Sequence, residues 1–409
     1  MAETDGLAPL PTVFDADNHY WESSDAFTRH RDPAFLDRGL RVIERDGARR
    51  YYLGENPHPI LPGPGDAHLR PKPGALYDYF AGRSDKGSVG AELASEVPAE
   101  HPEWFNRDAR LRTMDAQGIE ATWMFPSHAV CLEGPMQPDI EGSLEVLRAF
   151  NRWLDEDWGF AYQDRIFGVP FLSLSDLDGA LKELDWCLER GARVVSIRNG
   201  PAFTPDGTRS PADPRFDPFW ARIQEARVVV APHAGFDDGY RKVEEAIAQA
   251  WGYGHSRHDV AQSNAITLWE PFITMIMKHR LVHDFAGALV AHGLFERFPG
   301  VRVAYIENGG TWVGSLLHGL GLLHAQNPGM FTTDPVEQFV EHCWVAPFVE
   351  DNVAELGTHL PAERILFGSD WPHAEGLSVP RDFQEGLGTF SAADQRKIML
   401  DNARELTFG

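Results

Sequence analysis

The stretch Val13-Phe14-Asp15-Ala16-Asp17-Asn18-His19-Tyr20-Trp21-Glu22 passes from apolar residues into carboxylates and a histidine within a few positions. A short strand with that ending suits the mouth of a parallel β/α barrel, where strand C-termini converge and catalytic groups collect. Asp15, Asp17 and His19 alternate, so an extended chain would project them from one face. A solvated acidic turn after a first strand is the competing reading, and the rest of the chain weighs on the choice.

Beyond this strand, residues 23 to about 107 are irregular. Pro57, Pro59, Pro62, Pro64, Pro71 and Pro73 crowd with glycines, too densely for a barrel helix. Residues 41–53 suit a small hairpin, and the whole segment is expected to cover the barrel mouth. Strand–helix alternation then begins. Helices are expected at 106–117, 144–163, 177–190, 218–226 and 284–298, with Gly118 and Gly191 as stops. Strands are expected at 119–125, 166–172, 194–197, 228–231, 301–306 and 365–367. Their apolar runs lack period-two alternation, which marks strands buried on both faces. This order predicts right-handed crossovers and a parallel sheet. The expected fold is an α/β TIM-type (β/α)8 barrel, one domain over residues 1–409, with Pro/Gly-rich and aromatic lid insertions at about 23–107 and 236–283. A doubly wound open sheet is the runner-up, but no GxGxxG turn follows any strand.

Composition narrows the function. There are 61 acidic against 37 basic residues, a net charge of -24. That surface opposes nucleic acid and anionic membranes as partners. Cys131, Cys187 and Cys343 are scattered and odd in number, so neither a disulfide framework nor a zinc knuckle is expected. Reduced core cysteines, no secretory leader and no membrane-spanning run together predict a cytoplasmic protein.

Ionisable residues recur where strand turns to loop: Asp15, Asp17 and His19 on the first, Arg198 near the fourth, His233 on the fifth, Glu307 on the sixth, and Asp370 on the last, with His373 and Glu375 just beyond. Converging carboxylates and imidazoles repel or bury charge unless a cation compensates. A divalent metal is the economical explanation. The candidate ligands are Asp17, His19, Glu22, His233, His292, Glu307 and Asp370. Glu22 equally suits a helix cap, and His292 equally suits packing on the barrel wall. Asp15 is expected to orient a ligand histidine from behind. Asp370, His373 and Glu307 are the candidate catalytic groups. Arg198, Trp251, Trp312 and Trp371 are candidate substrate contacts, with Tyr240, Tyr253, Trp269 and Phe272 adding aromatic character to a lid that Gly252 and Gly254 would let move.

The chain also resembles a known family. Residues 106–119, residues 165–174, the Phe-Asp-Pro-x-Trp…His-Ala-Gly unit at 216–235, FERFPGVRV at 295–303 and LFGSDWP at 366–372 resemble the amidohydrolase superfamily, in its carboxymuconate-semialdehyde and resorcylate decarboxylase branch. The resemblance implies a TIM barrel with metal ligands on the first, fifth and last strands. Three positions depart from the pattern. Asp17-Asn18-His19 replaces the usual His-x-His, no lysine stands near residues 194–199, and Glu307 stands where a histidine is usual.

Those departures and the Asp-Ala-Asp-Asn-His-x-x-Glu pattern also resemble nonheme diiron monooxygenases of diterpenoid antibiotic biosynthesis. On that resemblance the expected activity is hydroxylation of a bulky apolar intermediate by two iron ions, with dioxygen and an electron donor as partners and a homodimer left open. The alternative is a zinc- or manganese-dependent decarboxylase or hydrolase of a small aromatic or cyclic carboxylic acid. A metal-binding scaffold without activity is the third reading.

Overall fold

The computed structural model describes residues 12–58, 61, 63–83, 94–235, 241–251 and 271–409. Eight strands are numbered β1 to β8 in chain order. They are β1 Val13–Tyr20, β2 Ile119–Pro126, β3 Ile166–Gly168 continued by Phe171–Leu172, β4 Val194–Ile197, β5 Val229–Val230, β6 Arg302–Tyr305, β7 Cys343–Val345 and β8 at residues 365–367. Each pairs in parallel with the next. Closure comes from β8 back to β1: Ala16 N donates to the Phe367 carbonyl at 2.9 Å and His19 N to the Trp371 carbonyl at 2.8 Å. This is the TIM barrel that the buried apolar strands imply.

The barrel interior is packed by Phe14, Ala16, Trp123, Phe125, Phe167, Val194, Val229, Ala304, Ile306, Trp344 and Leu366. Leu400, Ala403 and Leu406 of the C-terminal helix join this core. The Trp123 indole donates to Thr407 Oγ1 of that helix at 2.8 Å, plugging the end opposite the strand C-termini. A second, larger core lies between the strands and the surrounding helices, with Val13, Tyr20, Trp153, Trp220 and Tyr305 among its buried members.

Two details differ from expectation. β7 is a three-residue strand followed by Ala346-Pro347, too short to stand out as an apolar run. The helices Trp312–Gln326 and Pro335–His342 complete the last crossovers around it.

The 23–107 insertion folds as expected around a hairpin, Leu40–Arg45 paired with Ala48–Leu53. It bonds to the loops that follow β1 and β8: Gly65 N donates to the Glu22 carbonyl at 2.8 Å and Gly74 N to the His373 carbonyl at 3.0 Å. The insertion therefore sits over the mouth. Of the second insertion, helices Arg241–Ala250 and Pro271–Met277 are described. Tyr240, Gly252, Tyr253, Gly254 and Trp269 lie outside the described residues. No helix among the described residues is long and apolar enough to cross a membrane.

Candidate metal centre

The end of β1 carries the first two groups. Phe14 and Ala16 point into the barrel, so strict alternation would turn Asp17 outward with Asp15. The pairing of β1 with β2 instead slips between Asp15 and Asn18, where Ala16 and Asp17 of β1 oppose Trp123 alone of β2. A bulge of this kind re-aims the side chains beyond it. Asp17 and His19 consequently share the inner face, and Asp15 does not join them.

Around this pair four ligand-bearing side chains converge. Single ligand atoms of Asp17, His19, His233 and Glu307 all lie within 4.8 Å of one another. His19 Nε2 is 3.3 Å from Asp17 Oδ1, and His233 Nε2 is 3.4 Å from the same oxygen and 3.0 Å from Glu307 Oε2. Asp370 enters through His19, whose Nε2 is 3.3 Å from Asp370 Oδ1. His373 stacks on His19 with ring centroids 4.0 Å apart, its Nδ1 2.7 Å from Asp370 Oδ1. Glu375 extends the set on the exposed side. Glu307 and Asp370 both hold positive φ, 53° and 56°. Left-handed backbone at non-glycine residues costs on the order of 1–3 kcal/mol and collects at functional sites.

The electrostatics fit a bound cation. The facing Nε2 atoms of His19 and His233 are 3.2 Å apart. Burial, then the charge on His233, pushes His19 down to about 3. Burial also opposes a charge on His233, but Glu307 and Asp17 outweigh it and lift the imidazole to about 10. Burial, reinforced by Glu307, holds the Asp370 carboxyl well above the usual range. Asp17 Oδ1 and Asp370 Oδ1 are buried and accept no hydrogen bond, although imidazole nitrogens lie beside both. Oxygen and nitrogen lone pairs that meet without a proton in line are what a divalent ion satisfies.

Asp15 has another role than orienting a histidine. Its carboxylate accepts from Ser369 Oγ at 2.5 Å, Ser369 N at 3.0 Å, Asn18 Nδ2 at 2.9 Å and Asp17 N at 3.2 Å. Arg110, fully buried, donates to Asn18 Oδ1 and to the His19 carbonyl, the latter at 2.7 Å. Ser369 N and Asp370 N both donate to the Asp17 carbonyl, at 3.2 and 2.8 Å. This network stitches the ends of β1 and β8 into one unit.

Other expected site residues lie elsewhere. Glu22 is buried under the insertion, where it accepts from His128 N at 2.8 Å and Ala129 N at 3.1 Å. Two residues past the end of β1, it is turned toward the loop after β2. His292 ends a helix outside the barrel, its Nδ1 2.7 Å from Ser210 Oγ. Trp251 is 70% exposed and packs on Phe272. Trp312 is buried against Tyr305 and Phe339 in the outer core. Arg198 lies over the Phe203 ring and donates to the Pro201 carbonyl, both on its own loop. Trp371 stacks under Arg110, with the guanidinium 4.4 Å from the ring centre. The aromatic groups that do border the centre are Phe125, 4.7 Å from the His233 ring, and Trp21, 5.0 Å from the His373 ring. Ser127 and Arg110 carry no motif of their own. Ser127 gives a hint only by following the end of β2, and Arg110 by being a base on the buried side of a helix.

A family model for amidohydrolases matches residues 14–407, nearly the whole barrel. The chain belongs to the amidohydrolase family. Among solved structures, an amidohydrolase from Mycobacterium avium subsp. paratuberculosis K-10 is 38% identical, with TM-score 0.86 over 97% of this chain and 99% of that one. A gamma-resorcylate decarboxylase of Rhodococcus jostii (strain RHA1) is 26% identical over 316 residues, 73% of this amidohydrolase and 87% of that protein. A dihydroxybenzoic acid decarboxylase from Polaromonas sp. JS666, solved with bound manganese and 2-nitroresorcinol, shares the fold at 22% identity and TM-score 0.56, over 76% of this chain and 88% of that one.

These relatives overturn the diiron monooxygenase expectation. Curated relatives spanning most of the chain are decarboxylases. The physical basis of the expectation also weakens, since Glu22 and His292 do not reach the cluster and the carboxylate-rich diiron count rested on them. Asp17 and Glu307 remain together in the candidate cluster with His19 and His233.

Proposed function

We propose that this amidohydrolase removes the carboxyl group of a hydroxylated aromatic acid without oxidation, using one manganese or zinc ion. The observation that carries the reading is the convergence of Asp17, His19, His233 and Glu307 beside the buried carboxyl of Asp370, in a chain whose curated relatives are gamma-resorcylate decarboxylases. Asp17, His19, His233 and Glu307, with Asp370 alongside, would hold the ion. Such an ion supplies a Lewis acid that draws charge from the carboxylate and an adjacent hydroxyl.

The chain's own groups do the rest. Phe125 and Trp21 flank the histidines with apolar faces and suit a flat ring. Asp370 Oδ1 is turned to His19 and His373, which leaves Oδ2 to carry a proton to the substrate. As the carbon–carbon bond breaks, its electron pair stays on the ring carbon and takes that proton, and carbon dioxide leaves. Asp370 is then reprotonated from water at the mouth. A ring hydroxyl beside the carboxylate makes that carbon basic enough to accept the proton, which is why a hydroxybenzoate-like acid fits. The burial of Cys131, Cys187 and Cys343 supports a reducing, cytoplasmic setting.

The test is direct. Protein stripped with chelator and reloaded with manganese or zinc is incubated with 2,6-dihydroxybenzoate and a panel of related acids, and carbon dioxide release is followed. Turnover that depends on the metal and is lost in Asp370→Asn is expected. No decarboxylation of any acid by either loaded form refutes the reading.

A further inference from the structure

His373 lies three residues past Asp370 and contacts two neighbours that settle which of its nitrogens carries hydrogen. Ser127 Oγ is 2.6 Å from the Tyr20 carbonyl and 2.8 Å from His373 Nε2. A hydroxyl has one proton, and a carbonyl oxygen only accepts. Two oxygens 2.6 Å apart need that proton between them, so Ser127 donates to Tyr20. The serine oxygen then faces His373 Nε2 with a lone pair, and that nitrogen must be the N–H. A second proton at Nδ1 would have no acceptor in line, because Asp370 Oδ1, 2.7 Å away, accepts no hydrogen bond, so the ring carries its hydrogen at Nε2 alone. A neutral ring protonated at Nε2 has a bare lone pair at Nδ1.

That lone pair faces the centre. Nδ1 is 2.7 Å from Asp370 Oδ1, yet this oxygen accepts no hydrogen bond. One ligand atom each from His19, Asp370 and His373 lies within 4.8 Å of the others. Asp370 is 7% exposed, so water does not screen the contact. Two lone-pair atoms this close without a proton in line repel, unless a cation sits against both.

We propose that His373, through Nδ1, is an additional ligand of the metal centre, and that Ser127 sets its tautomer. Ligand histidines commonly hand their second N–H to an oxygen that fixes ring orientation and basicity. Here the oxygen is a hydroxyl that is itself fixed by the β1 backbone at Tyr20. The proposal rests on the cluster binding a metal and not on which reaction it performs.

Cobalt(II) reports both occupancy and ligand set. Full-length protein stripped of metal is titrated with cobalt(II), following the visible ligand-field bands and the dissociation constant. Ser127→Ala should weaken binding about 10–100-fold, the usual effect of losing a partner behind a ligand histidine, and Ser127→Thr should restore it. His373→Gln should weaken binding at least as much and also shift the bands. Unchanged bands and affinity in both Ser127→Ala and His373→Gln overturn the proposal while leaving the metal centre intact. A wild-type protein that takes up no cobalt overturns both. Ser127→Ala leaves the ligands themselves in place, so the test survives if His373→Gln does not fold.

Discussion

Asp15 offers the cleanest test of the network behind the centre. It is fully buried, and burial pushes its carboxyl from 3.8 up to about 7, although Ser369 and Asn18 pull the other way by hydrogen bonding. The folded protein thus holds this proton more tightly than the unfolded chain does. Raising pH through the interval between the two values favours unfolding. The effect is absent below about pH 4 and complete above about pH 7, and a gap of roughly three pH units corresponds to about 4 kcal/mol. Asp15→Asn keeps the shape and cannot ionise. Its amide NH2 would meet the Asn18 NH2 now bonded to Asp15 Oδ2, a mismatch that costs about 1–3 kcal/mol. Wild type should lose ground to the variant as pH rises: a mismatch of about 1–3 kcal/mol against a loss of about 4 kcal/mol puts the crossing between about pH 4.5 and 6, and the variant should be the more stable protein above about pH 7. The assay is urea denaturation of both proteins without metal from pH 4.5 to 8.5, which isolates Asp15 because every other buried acid is common to the pair. Parallel stability curves, or a wild-type advantage that grows with pH, would refute the assignment of a proton to Asp15.

Two further substitutions probe how β1 and β8 are held together. A Cβ on Gly368 would lie 2.5 Å from Asp17 Cβ, so Gly368→Ala should cost about 1–3 kcal/mol of stability and weaken metal uptake; a variant with full occupancy at unchanged affinity would show that Asp17 is not held against β8. Arg110→Ala removes charged hydrogen bonds to Asn18, to the His19 carbonyl and to the Glu103 carbonyl. At about 1.5–3 kcal/mol each, their loss should destabilise the protein by about 5 kcal/mol or more, which urea denaturation would measure.

Much of the barrel was legible because buried parallel strands write themselves as apolar runs, and because strand ends carry the chemistry. Asp17, His19, His233, Glu307 and Asp370 all stood at such ends, and the structure brings their ligand atoms together. Direction was harder to read than position. Asp15 sits in the same alternating series as Asp17 and His19, but the bulge before Asn18 breaks the series, turning Asp17 and His19 inward and leaving Asp15 behind the centre. Glu22 has the spacing of a ligand and instead receives the N–H groups of the neighbouring loop. Trp251 and Trp312 matched an aromatic lid in composition, yet one faces solvent and the other the outer core. Side-chain direction beyond a strand end depends on loop backbone, which period and composition do not encode.

Charge explains why the centre needs its particular surroundings. Among the described residues, the ion pairs of Asp17, Glu307 and Asp370 are with histidines, and burial, followed by His19, pushes His373 well below its ordinary value. With Asp370 kept protonated by burial, one protonated imidazole at His233 still cannot balance the carboxylates of Asp17 and Glu307. Arg110 is a buried cation behind the first strand, and its donors go to Asn18 and two carbonyls, behind the ligands and not among them. Its charge eases the burial of Asp15 and leaves the inner face negative. The remaining compensation would come from the cavity side, where Asp17, His19, His233 and Glu307 are placed to hold a divalent ion. Glu307 and Asp370 both hold left-handed backbone beside this centre. Mutual repulsion would drive the carboxylates of Asp17 and Glu307 apart without a cation, and the hydrogen bonds from Ser369 and Asp370 to the Asp17 carbonyl hold the ends of the first and last strands together against it.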